Sequence, residues 1–142
     1  MEVWSGLIGA VVGAIIGIGG ALGAQVLANR AEANRLDAER SERLRAEIRS
    51  ALDVFLRAAQ RAEQAAHDGD NTDRKGDAAT EMWIAYKSLA LVAEPGICEA
   101  ALTYCDALSA CLWNPDSRQP WEAVHGPQLH FNEVARHALQ NM

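Results

Sequence analysis

Three cysteines, two histidines on one helical face and three closely spaced aspartates are the side chains of this chain with the most chemical reach. Cys98 and Cys105 lie seven residues apart and so share a helical face, with Cys111 beyond them. Metal ligation favours pairs three or four apart with further ligands nearby, and no CxxC pair is present, so small buried hydrophobes are the stronger reading. Asp68, Asp70 and Asp73 bring a calcium loop to mind. The helix–loop–helix calcium pattern needs a Gly at its sixth position and a Glu at its twelfth. Counted from Asp68 those places hold Asp73 and Ala79, so the pattern fails and HDGDNTDRKGD reads as a solvated turn. His130 and His137 are seven apart on a helix, and solvated or partly packed imidazoles outweigh metal binding or pH sensing there. The chain has no Gly-rich phosphate loop, no HExxH and no GxSxG. The expectation is a non-enzymatic protein with no cofactor and no metal.

The element that positions everything else is the stretch Val3 to Ala28, VWSGLIGAVVGAIIGIGGALGAQVLA, a run of 26 residues without a charge. At a rise of about 1.5 Å per residue such a helix covers about 39 Å, enough to cross a hydrocarbon core of about 30 Å. A secretory signal peptide fits less well, since the only charged side chain ahead of the run is Glu2 and the apolar stretch is long. A soluble buried helix fits less well again.

Within this stretch the side chains are sorted by size. Gly6, Ala10, Gly13, Gly17, Gly20 and Ala24 follow one another in steps of three and four, so they fall on one helical face, with Gly9 flanking it. Trp4, Leu7, Val11, Ile15, Ile18 and Leu22 line the opposite side. In lipid, helices associate through close backbone approach across small residues rather than through the hydrophobic effect. Gly6, Gly9, Ala10, Gly13, Gly17, Gly20 and Ala24 are therefore the expected helix–helix interface, and a homo-oligomer within the lipid bilayer is the expected assembly.

Arg30, Arg35, Arg40, Arg43, Arg45 and Arg49 follow the span and no Lys or Arg precedes it, which predicts an N-terminus outside and a C-terminal domain in the cytoplasm. Reduced thiols suit that compartment. From Asn29 to Arg61 there are eight Arg against six acidic residues, and from Ala62 onward five basic against twelve acidic. An acidic domain is a poor match for nucleic acid, so no nucleic-acid partner is expected.

After the span, residues 29–43 lack Gly and Pro and carry opposite charges three or four apart, as in Glu32–Arg35, Arg35–Glu39 and Glu39–Arg43, which predicts a solvated helical stalk. The small-residue register persists through Leu27, Ala31, Asn34, Ala38 and Ser41, so a parallel partner helix has a seam to follow. Leu44, Ile48, Leu52, Phe55, Ala59, Ala62 and Ala66 then form an apolar stripe that ends near His67. A second helix, capped by Asp77, directs Met82, Trp83, Tyr86, Leu89, Ala90 and Ala93 toward a core and stops before Pro95. Pro95 opens a third helix with the stripe Ile97, Ala101, Tyr104, Leu108 and Cys111. Residues 116–127 read as loop because of Pro120 and the His125-Gly126-Pro127 break, with Trp121 pinning the loop to the bundle. A last helix from about Gln128 carries Phe131, Val134, Ala135, Ala138 and Leu139.

The layout resembles a loose group of small actinobacterial single-pass membrane proteins of unknown function. The likeness rests on the Gly/Ala-rich span, on RAEANRLDAERSERLRAEIRSALDVFL, on IAYKSLALVAEPGICEAALTYCDAL and on FNEVARHAL. It implies an all-helical anchored protein and brings no activity with it.

The expected fold class is all-α, with an N-terminal transmembrane helix that continues into a long helix packed with three shorter ones as a small four-helix bundle. The expected divisions are a transmembrane helix over 1–28, a stalk over 29–43 and a bundle domain over 44–142. The expected function is a non-enzymatic, membrane-anchored interaction module that self-associates and presents its bundle to an unidentified protein partner. The alternative is a small pore-forming or membrane-stress protein of the holin or toxin type, ranked lower because the small face offers no polar lining before Gln25. An enzyme or ligand sensor with a site in the bundle ranks third.

Overall fold

The structure is a computed structural model. It describes the backbone of residues 2–69, 71–114 and 120–142, and the side chains of residues 22–69, 71–114 and 122–142. The described residues form four helices and no strand: α1 (Glu2–His67), α2 (Thr72–Val92), α3 (Pro95–Trp113) and α4 (Pro120–Asn141). The chain divides into two units, Met1–Glu42 and Arg43–Met142.

In the first unit, every described side chain from Leu22 to Glu42 is exposed. Among the described residues nothing within the unit covers this part of α1, so its helix rests on local preferences: Ala, Leu, Arg and Glu dominate, and Gly is absent after Gly23. Arg35 and Glu39 pair at 3.2 Å, and Arg40 and Asp37 at 3.9 Å. Each pair is worth a few tenths of a kcal/mol. The side chains of Val3 to Ala21, which make up most of the expected membrane span, lie outside the described residues. Among the described residues no helix is long and apolar enough to cross a membrane.

The second unit is a helical bundle built from the rest of α1 with α2, α3 and α4. The α1 stripe buries Ile48, Leu52, Phe55, Ala59 and Ala62, as its spacing predicts. Leu44, expected on the same stripe, is 51% exposed instead. It sits one turn ahead of Ile48, the first residue of α1 that the bundle covers. Ala58 and Ala65 are buried as well, so the α1 face is wider than one seam.

At the centre, three helices each contribute one ring. Phe55 of α1 meets Phe131 of α4 at 5.0 Å between centroids, and Tyr104 of α3 lies 6.1 Å from Phe55 and 6.0 Å from Phe131. Aromatic pairs at these separations add about 0.5–1.5 kcal/mol beyond the area they bury. α3 packs against both α2 and α4 and buries all five residues of its predicted stripe. On α2, Met82 and Leu89 are buried and Trp83 and Tyr86 half-buried, whereas Ala90, expected in the core, is exposed. Ala85 takes the core position on that face.

Two boundaries differ from the expectation. α2 begins at Thr72, not after Asp77: Asn71 is the cap, and its side chain accepts from Arg74 N at 3.2 Å. The turn thus shrinks to a few residues around Gly69, whose φ of +85° is the left-handed conformation that Gly adopts without strain. α4 begins at Pro120, not near Gln128, and carries Pro127 inside it. An internal Pro costs a helix about 3 kcal/mol. The early turns are held because Val124 is buried, ahead of the core residue Phe131 on the same helix. Trp121 has its side chain outside the described residues.

Candidate functional site

The expected interface residues fall almost entirely beyond view: the side chains of Gly6, Gly9, Ala10, Gly13, Gly17 and Gly20 lie outside the described residues, and Ala24 is exposed. The seam that follows it, Leu27, Ala31, Asn34, Ala38 and Ser41, is exposed along its whole length.

Cys105 and Cys111 are buried in the bundle and Cys98 lies at its edge. All three are free. Burial, with Asp106 alongside, pushes the Cys105 thiol up to about 12, and burial raises Cys111 too. Cys98 is half-buried with Sγ 3.7 Å from Ala93 O. Asp68 pairs with Arg74 at 2.9 Å, and Asp70 lies outside the described residues. Among the described residues no three His, Cys, Asp or Glu side chains gather to hold a metal ion.

One polar link reaches into the core. The Tyr104 hydroxyl donates to the Glu63 carboxylate, which joins α3 to α1. Burial first, and this hydrogen bond second, hold the phenol far above its ordinary value. The link serves the Tyr104 ring in the aromatic centre by satisfying its hydroxyl. On the surface, Arg61 and Glu81 join α1 to α2 at 2.9 Å.

His130 and His137 line a pocket of about 540 Å³ between the first turn of α3 and the last turns of α4. From α4 it takes His130, Glu133, Val134, His137, Ala138 and Asn141, a single face at spacings of three and four. From the other side come Glu94, Gly96 and Ile97. Asn141 Nδ2 lies 3.0 Å from His137 Nδ1, a geometry in which the amide donates to the ring. Glu133 was open to discovery from sequence, since it falls three residues after His130 and four before His137. Glu94 carried no such signal, because only the fold brings the α2–α3 turn beside α4. A second groove lies between α1 and α2, where Val54 and Ile84 are 51% and 60% exposed.

No protein-family model, no curated protein and no solved structure matches the chain.

Proposed function

We propose that this protein is a non-enzymatic, membrane-anchored interaction module. Its N-terminal run crosses the bilayer once, its glycine face pairs with a second copy, and its helical bundle stands in the cytoplasm to meet a protein partner. The observation that carries this reading is the uncharged run of 26 residues with six small residues in phase on one side and six large ones on the other. The arginines that follow the run set the direction. The bundle's contribution is compatible chemistry: its thiols are buried or half-buried, and it carries fourteen acidic against ten basic side chains.

The test is to add bulk where backbones must approach. Gly13→Ile together with Gly17→Ile removes self-association in a membrane reporter assay or in bilayer crosslinking. Val11→Gly with Ile15→Gly, on the opposite face, leaves it in place, with insertion checked alongside. Equal association in the double Ile variant and the parent chain sinks the reading. Rapid loss of membrane potential on expression favours the pore-forming alternative instead.

A further inference from the structure

We propose that the pocket between α3 and α4 binds a small organic cation, an alkylammonium whose charge meets Glu94 and Glu133 while its chain covers the apolar floor. This does not depend on the membrane reading.

Three observations select that class. The first is size: about 540 Å³ falls within the range of small-molecule sites, about 300–1,000 Å³. The second is charge. Two carboxylates line the pocket, and neither Lys nor Arg does. The chain as a whole carries a net charge of −6. Field lines in such a cleft raise the local concentration of cations and exclude anions. Among the described residues neither carboxylate has a hydrogen-bond or ion-pair partner, and Glu94, although it is the cap residue of α3, makes no side-chain cap bond. The third is the floor. Val134, Ala138 and Met142 present part-exposed apolar surface on the same lining, where Ile97 is buried. A hydrated metal ion leaves that surface wet and finds no three ligands together. A cation with a short hydrocarbon chain satisfies both parts at once. The positive end of the α3 dipole lies on the same rim and opposes the cation. The carbonyl end of α4, at Asn141, offsets it from the other side.

The full chain with labelled Ile, Val, Ala and Met methyl groups, kept monodisperse in a non-ionic detergent whether or not its N-terminal run inserts in a bilayer, is titrated with n-pentylammonium and followed by NMR. Pentanoate, 1-pentanol and ammonium chloride are the comparators: the same chain with the opposite charge, the chain without charge, and the charge without the chain. Saturable shifts are expected at Ile97, Val134, Ala138 and Met142 with pentylammonium, none with pentanoate, and at least fivefold weaker responses with pentanol and ammonium. Glu133→Gln weakens pentylammonium binding about fivefold, and Glu94→Gln with Glu133→Gln weakens it further, as expected of exposed ion pairs. Both sites are exposed, so methyl signals of the aromatic centre report that the variants remain folded. Pentanoate shifting the same methyls as strongly, ammonium binding as tightly as pentylammonium, no saturable response, or undiminished binding in the double Gln variant each overturns the assignment.

Discussion

Residues 22–42 and residues 48–62 belong to the same helix and are held by different physics. In the first stretch every side chain is exposed, including Leu22, Val26, Leu27 and Leu36 at 48–67%. In the second, Ile48, Leu52, Phe55, Ala59 and Ala62 fall to 4% exposure or less. The apolar periodicity is audible in both, yet only the second has neighbours to bury against. A helix of some twenty residues supported by propensity and i,i+4 pairs alone is marginal in water. Periodicity thus tells which face a helix offers. Whether that face is taken depends on what else folds beside it.

The difference can be broken most forcefully at Phe55. Phe55→Ala removes a fully buried ring from the aromatic centre and should cost the bundle about 3–5 kcal/mol, read as a lower denaturation midpoint. Leu36→Ala, an equally apolar truncation on the exposed stretch, should change the same midpoint by less than about 0.5 kcal/mol. Equal losses would mean that the exposed stretch contributes to the bundle's cooperative unit after all.

Alkaline titration gives the next largest effect. Cys105 and Tyr104 stay protonated in the fold beyond the pH at which they ionise in the unfolded chain. Above the ordinary thiol value the unfolded chain therefore binds fewer protons than the native one, and stability falls as pH rises. The Cys105 contribution is intact below about 9 and is lost between about 9 and about 12, with a slope up to about 1.4 kcal/mol per pH unit. Cys105→Ala should flatten that part of the curve in denaturation measured at several pH values. The exposed stretch holds no such group, so its helicity followed at Ala31→Cys by a spin label should not track this titration.

The smallest effect concerns what could cover the exposed stretch. If two copies run parallel along Ala24, Leu27, Ala31, Asn34, Ala38 and Ser41, Arg30 of one faces Arg35 of the other, and Asp37 faces Glu42. Both meetings join like charges. Arg35→Glu turns the first into an attraction of about 0.5 kcal/mol per pair and should raise disulfide crosslinking at Ala38→Cys. An unchanged yield would mean that the stalks do not lie together, whatever the glycine faces do.

The sequence pattern carried the α1 and α3 stripes because long helices with large apolar residues leave little ambiguity, and Pro95 marks its own boundary. It failed where local punctuation was overruled by packing. Gly76 reads as loop, yet it stands inside α2, where an added Cβ would meet nothing within 4 Å; the helix simply tolerates it. Gly126 and Pro127 read as a break, yet burial of Val124 carries α4 through them. Leu44 and Ala90 had the right phase and no neighbour. The α3–α4 pocket was half legible, because His130, Glu133 and His137 share a helical phase, while Glu94 and Ile97 arrive there only through tertiary contact.

The aromatic centre also sets a schedule. Phe55 and Phe131 touch, although more than half of the chain separates them. Closing so long a loop is slow compared with forming the neighbouring α3–α4 pair. A ribosome adds about 5–20 residues per second, so Ile48, Leu52 and Phe55 emerge roughly 4–15 s before Phe131 exists to cover them. For that interval the newborn α1 is an apolar helix without a lid, and whatever shelters it then is part of how this protein comes to be.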